Sequence, residues 1–527
     1  MSSTDERHDP PIGAYGAADV LATGADDGQP RRRAPWALVA VGGALVLALV
    51  GGVGWAVGSL SGGGAQPEDA LPAGAFAFVK VDLDPAAGQK IDGFRFLRQF
   101  PSLRDRIPLD GDVREVLFEA VAEDAGWGDV DYAADVQPWL GDRLAVAGYP
   151  GDGADRTTAP AVVALQVTDA DAAETGLGRL VAASARGIGG TRDIGFVVAG
   201  DYALIAESQD LARRYAAEAE QRTLAADPRF AADFGSLEDG VAAVWVDNAA
   251  VTEEAGLLDP MGFGLGGLAT GAGGATAGRT TMVARFAGPD VFEVVGSVGG
   301  AEAASWATHP LTGLGELPAS TVAAVGIADG DELAPRLVES MRDSAEDTTV
   351  LDDSIADLEE ETGIALPEDL AVLLGDNLVG AVDSAGDDGS IDAGVKVRTD
   401  ATRAQRLLEP LLAESPDSPV DTVLRTDGDS YVLATSGRQA ARLLAPGDLG
   451  DQPGFAAALP DLADADAAVW VDPSGLLQTL FGGWGTATDD EPGDSGDDDL
   501  EQVTGVGATL TSGNGGTAEF RFRIVTE

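Results

Sequence analysis

The sequence predicts an α+β protein, in which a single transmembrane helix is followed by a tandem duplication of an α+β unit with mostly antiparallel sheets. Three observations predict it. An apolar run, Pro35 to Ser61, contains 22 consecutive uncharged residues, Trp36 to Val57. Seven short motifs recur in the same order along the remainder. Between them, strand-like runs alternate with helical patterns and are closed by Gly, Asp and Pro turns.

The elements follow in chain order. Residues 1–33 form a polar stretch that is read as a disordered cytoplasmic tail. Residues 34–61 form the span, because 22 residues at a helical rise of ~1.5 Å cover ~33 Å, the thickness of a bilayer core. Arg31-Arg32-Arg33 precede it and no Lys or Arg follows until Lys80, so the positive-inside rule leaves residues 62–527 outside the cell membrane. Trp36 and Trp55 fall where indoles prefer the interface. A cleaved signal peptide is the rival, but a 33-residue tail and a long apolar core argue against it. Ala40, Ala44, Ala48, Gly52 and Ala56 form a stripe of small residues, a possible homodimer face within the membrane.

Residues 62–70 read as a linker. The first repeat spans 71–300 with a flexible Gly-rich loop over 262–280, and the second spans 301–527 with a flexible acidic loop over 485–502. Leu71-Pro72 recurs as Leu317-Pro318, and the strand Ala75–Val81 as Thr321–Ile327. Trp139-Leu140-Gly141-Asp142 recurs as Leu373-Leu374-Gly375-Asp376, and Thr168-Asp169-Ala170 as Thr399-Asp400-Ala401. Gly200-Asp201-Tyr202 recurs as Gly428-Asp429-Ser430-Tyr431, Pro228-Arg229-Phe230 as Pro453-Gly454-Phe455, and Trp245-Val246-Asp247 as Trp470-Val471-Asp472. The offset falls smoothly from 246 to 225.

Within the first repeat, Asp112 and Glu115 resemble a capping box opening a helix. Strands are expected at Arg143–Ala147 and Ala161–Val167, and a helix over Asp171–Ala185. A hairpin follows, with strands Ile194–Val198 and Tyr202–Ala206, and then a helix over Asp210–Ala219. Each Trp-Val-Asp motif reads as a strand whose Trp packs and whose Asp caps the next helix, with Pro473 suited to the first helical position. Each repeat ends in a hairpin, turning at Gly288-Pro289-Asp290 and at Gly513–Gly516. Phe520, Phe522 and Ile524 alternate with Arg521 and Arg523, which predicts a buried face and a wet face. Helices are expected on one face of the sheets.

Composition excludes several functions. Of the net charge of −55, the first 33 residues carry only −2, which leaves −53 beyond them. That rules against nucleic-acid binding and against close docking on anionic lipid. The chain has no cysteine, so stability outside the cell rests on packed cores rather than disulfides. Gly262, Gly264 and Gly267 fit GxGxxG but lie in low-complexity glycine without the strand and helix the fingerprint requires. Gly493-Asp494-Ser495-Gly496 resembles a serine-protease nucleophile motif, yet His309 is the only histidine beyond the tail, in an apparent linker. Asp383, Asp387, Asp388 and Asp392, or Asp494 to Asp499, are the acidic clusters that invite Ca²⁺, without EF-hand spacing. No catalytic, cofactor-binding or metal residue is therefore assigned, and no cofactor.

The stretch Leu71-Pro72-Ala73-Gly74-Ala75-Phe76-Ala77-Phe78-Val79-Lys80-Val81-Asp82-Leu83-Asp84-Pro85 resembles the bacterial domain-of-unknown-function family 3352. Gln89-Lys90, Phe96–Pro101 and Trp139–Asp142 carry the same resemblance. It implies a short tail, one membrane helix and a large outer region, and brings no activity. The expected function is a membrane-tethered, extracytoplasmic, two-lobed binding or scaffold protein of the cell envelope, its partner the bilayer and its ligand unknown. The alternative is an envelope-polymer hydrolase using paired carboxylates, and a sensor signalling through the tail is a third.

Overall fold

The computed structural model describes residues 64–527 except 84, 102–111, 113, 116–117, 120–121, 123–126, 152–159, 185–193, 251–277, 300–306, 345–347, 385–390, 415–421, 482–498 and 514–515. Among the described residues, eight strands precede residue 300: β1 (Ala77–Asp82), β2 (Leu140–Gly148), β3 (Ala161–Val167), β4 (Gly195–Ala199), β5 (Tyr202–Ala206), β6 (Ala242–Asp247), β7 (Arg279–Gly288) and β8 (Val291–Gly299). Eight follow it: β9 (Thr321–Ala328), β10 (Asn377–Asp383), β11 (Ala393–Arg398), β12 (Val423–Asp427), β13 (Ser430–Ala434), β14 (Ala467–Val471), β15 (Val503–Gly513) and β16 (Thr517–Thr526).

All sixteen belong to one sheet. From one edge the order is β4-β5-β3-β2-β1-β6-β7-β8, then β16-β15-β14-β9-β10-β11-β13-β12. Adding eight to each label of the first half reproduces the second, read from its own outer edge. The halves meet where β8 pairs antiparallel with β16, from Thr517 opposite Gly299 to Val525 opposite Val291. The two expected lobes are therefore joined through a hydrogen-bonded strand pair.

Corresponding positions do corresponding work. Gly200 and Gly428 turn the β4–β5 and β12–β13 hairpins with φ of 61° and 60°, a left-handed conformation that glycine adopts without a Cβ clash. Ser208 caps the helix Gln209–Gln221 by accepting from the Leu211 N–H, and Ser436 caps Gly437–Leu444 by accepting from Gln439. Phe230 lies 5.5 Å from Trp245, and Phe455 lies 5.5 Å from Trp470, ring centre to ring centre. One expected match shifts by a residue. The common turns place Ser430, not Tyr431, in register with Tyr202, so the two tyrosines point to opposite faces.

Helices cover both faces of the sheet, a correction to the one-sided expectation. Val162, Ala164, Tyr202 and Leu204 pack with Ala212 and Tyr215 of the helix Gln209–Gln221. The neighbouring Leu165, Val167 and Ala203 pack instead with Ala173, Leu177 and Leu180 of the helix Ala170–Ser184. Alternation along β3 and β5 thus feeds two cores. In the second half the helices Gly437–Leu444 and Pro453–Ala458 share a core with Val432, Ala434 and Trp470. Ala404 of the helix Ala401–Glu414 packs with Val397 and Tyr431 on the other side.

Residues 64–70, expected as linker, are part of the packed body and contain the helix Pro67–Ala70. The Gly-rich loop is closed by β7 from Arg279, while 262–277 and 485–498 lie outside the described residues. So do the tail and the expected span. No helix among the described residues is long and apolar enough to cross a membrane.

Candidate functional site

The densest buried charge sits on the strand pair that joins the halves. Glu293 of β8 lies directly opposite Arg285 of β7 on one side and Arg523 of β16 on the other. Its side chain is 0% exposed. Arg285 Nε donates to Oε1 at 2.7 Å, and Arg523 Nε and Arg521 Nη1 donate to Oε2 at 2.7 and 2.8 Å. Burial alone raises a carboxyl, but these charged donors outweigh it and hold Glu293 below the ordinary glutamate range. Glu238 pairs with Arg285, and Asp461 with Arg521 at 3.1 Å, so the surplus positive charge is met at the rim. Arg523 Nη1 also donates to the Ala457 carbonyl at 3.0 Å, tying the helix Pro453–Ala458 to the same point.

This corrects the expectation that Arg521 and Arg523 face water. Phe522 is buried on the opposite face with Phe286 and Phe292, as the alternation predicts. The arginines themselves cover a buried acid contributed by the other half. The one sequence signal was a lone glutamate inside the apolar strand Val291–Val295. Its counterpart across the pseudo-symmetry, Glu519, is exposed and lies opposite Ser297, so the cluster forms once.

A second polar locus opens the second half. His309 does not lie in a free linker. Its Nδ1 is 3.0 Å from Asp329 Oδ1, while the His309 backbone N–H and the Thr308 hydroxyl donate to Oδ2, both at 2.9 Å. The Thr308 backbone N–H donates there too. Asp329 follows β9 directly with φ of 46°, unusual for a residue with a side chain, and its carbonyl accepts from the first turn of the helix Gly330–Ser344. Burial pushes the Asp329 carboxyl up, but its many donors dominate and hold it low. Asp466 lies beside it, since Ala328 N–H donates to the Asp466 carbonyl at 2.7 Å. Burial, assisted by the Asp329 charge, raises Asp466 despite a bond from the Ser512 N–H. The arrangement orients one imidazole and splits two neighbouring carboxyls to opposite sides of their ordinary value. The ring is 71% exposed, and its only hydroxyl partner among the described residues, Thr308, contacts Nδ1 rather than Nε2. A Ser-His-Asp relay needs the nucleophile on the other nitrogen.

The remaining sequence candidates separate. Gly262, Gly264, Gly267 and Ser495 lie outside the described residues. Asp383 and Asp392 do come together, and each is engaged: Arg442 reaches Asp383 at 3.1 Å, and Arg438 reaches Asp392 at 2.8 Å. Thr321 donates to Asp383 and Ser436 to Asp392. Among the described residues no group of three or more His, Asp or Glu could hold a metal ion. Of the two Trp-Val-Asp motifs, Asp472 caps as expected by accepting from the Gly475 N–H at 3.0 Å. Asp247 instead pairs with Arg229 at 2.8 Å.

A comparison with family models fits this picture of a fold without assigned chemistry. Residues 39–239 match the family described as "Protein of unknown function (DUF3352)". No curated protein and no solved structure matches the chain.

Proposed function

We propose that the chain is a single-pass membrane protein whose residues 34–61 cross the cell membrane, whose tail is cytoplasmic, and whose body is a duplicated, extracytoplasmic binding or scaffold module of the cell envelope. The observation that carries the scaffold reading is the seam. Two halves with one strand order share a sheet, and their shared strand pair is fastened by a buried glutamate holding three arginines. Such a body resists relative motion of its halves and offers two helix-covered faces of fixed geometry. The identical strand order and the paired Ser caps and Trp–Phe contacts support a duplication. The apolar run and its arginine flank support the anchor.

The hydrolase reading keeps one observation in its favour, the neighbouring carboxyls of Asp329 and Asp466 with values pushed apart. Two measurements on the full chain decide between these readings. Carbonate-washed membranes retain it, and deletion of 34–61 releases it. Detergent-solubilised protein shows no turnover in a screen of envelope polymers. Turnover that Asp466→Asn abolishes would overturn the scaffold reading in favour of the hydrolase.

A further inference from the structure

The segment that follows the apolar run is built into the body, not strung beneath it. Gln66 and Asp69 exchange capping contacts around the helix Pro67–Ala70. Tyr202 Oη donates to the Ala65 carbonyl at 2.9 Å. Lys80 Nζ lies 3.1 Å from Glu68 and 3.3 Å from Gln66, both contacts largely shielded from water. Leu71 is fully buried, its carbonyl accepts from Leu224, and Tyr149 Oη donates to the Pro72 carbonyl at 2.9 Å. Ala65 and Ala70 pack against the core that holds Phe78 and Trp245.

The place where this stem begins is also defined. Gly64 lies against the Arg143 guanidinium, which is bonded to Asp82. Asp82 ends β1, and Arg143 stands opposite it near the start of β2. At the same end of the sheet β3 finishes and β5 begins, since Gln166 is opposite Tyr202. β6 also begins there, with Ala242 opposite Val81. The loops at this end carry Asp169, Asp201 and Asp239, all exposed, and Asp142 stands half-buried beside them near the start of β2. The other end carries Glu207 to Asp210.

From Ser61 to Gly64 there are three peptide units, which reach about 10 Å when fully extended. We propose, on the reading that 34–61 is the anchor, that the body stands on the bilayer at a fixed attitude, with the rim of Asp142, Asp169, Asp201 and Asp239 turned toward the lipid and the rim of Asp210 turned away. The partner surface is lipid headgroups. Because this rim is acidic, the surface it suits is zwitterionic or screened by cations rather than bare anionic lipid. The stem transmits the tilt of the anchor to the sheet, since its contacts reach β1, β5 and the core directly.

The absence of cysteine makes the test clean, because any single introduced thiol is the only one to label. Asp201→Cys and Asp210→Cys bracket β5, whose five residues separate the labels by about 17 Å along the strand. Each full-length variant is labelled with a donor dye and reconstituted in phosphatidylcholine vesicles carrying a headgroup acceptor. Transfer from position 201 is expected to exceed transfer from 210 at least twofold. A ten-residue Gly-Ser insertion between Gly63 and Gly64 is expected to bring the ratio close to one. Equal transfer from the two labels in membrane-bound, uninserted protein overturns the fixed attitude alone, as does a ratio that the insertion leaves unchanged. No transfer from either label, with the protein recovered free of vesicles, removes the anchor and the attitude together.

Discussion

At the scale of single residues, the two halves solve the same packing problem with unequal success. Trp245 Nε1 donates to Asp233 at 3.0 Å, and Arg279 holds that carboxylate. In the second half the aspartate position is Ala458, and the Trp470 indole N–H is buried with no partner among the described residues. Trp245→Phe therefore breaks a hydrogen bond to a charged group, whereas Trp470→Phe removes an unmet donor. Both lose ring area, so the expected difference is about 1–2 kcal/mol, Trp245→Phe being the costlier. Urea midpoints of the two variants measure it, and equal losses would contradict the pairing. Gln439 is a sharper case. It is fully buried, and neither amide atom has a partner among the described residues. Leu211 stands in its place in the first half, three residues after the matching serine cap. Gln439→Leu is expected to stabilise the protein by about 1 kcal/mol, because burying an unpaired amide costs more than burying an alkyl group. A fall in the midpoint on this substitution would show that the amide has a partner. Neither residue was legible in the sequence, since an orphaned donor is defined by neighbours distant along the chain.

At the scale of elements, alternation and turn chemistry made much of the fold readable. Ala161–Val167 and Tyr202–Ala206 form over the expected residues, and the helix expected at Asp171–Ala185 forms over Ala170–Ser184. Periodicity says which residues share a face, but not what lies beyond that face. Arg521 and Arg523 therefore looked solvated until β8 of the other half supplied Glu293. The same blindness hid the second layer of helices. The seam yields a prediction of its own scale. Glu293→Gln leaves three arginines around a neutral amide and is expected to cost about 3 kcal/mol, the usual price of removing one partner from a buried ion pair. Its pH signature follows from the depressed carboxyl. The stabilisation is present above the ordinary glutamate value of about 4.3 and is lost as pH falls through the lower folded value, so the Gln variant loses this part of the acid dependence. Asp466 has the opposite sign. Its raised carboxyl favours the folded state below the ordinary aspartate value of about 3.9 and withdraws that support as pH rises through the folded value. Asp466→Asn is expected to gain stability at neutral pH relative to the parent, and a loss there would mean that the charge is used.

At the scale of the whole molecule, the collinear motifs pointed to two like halves, and the strand order now sets them in one sheet. What motif matching could not supply is the join, because β8 and β16 are each the last strand of their half and nothing local says that they pair. The near-continuous apolar run, the arginine triplet and the net charge of −55 bear on location rather than chemistry. They support the proposal that the acidic body stands outside the membrane with the tail within the cell. The stem then makes location a matter of geometry, since the body begins three residues after the run ends. The most direct test of this account is the sidedness of single cysteines in intact cells. A membrane-impermeant maleimide is expected to label Asp201→Cys in intact spheroplasts and to label Asp19→Cys only after lysis. Labelling of Asp19→Cys in intact spheroplasts, with Asp201→Cys reached only after lysis, would contradict it.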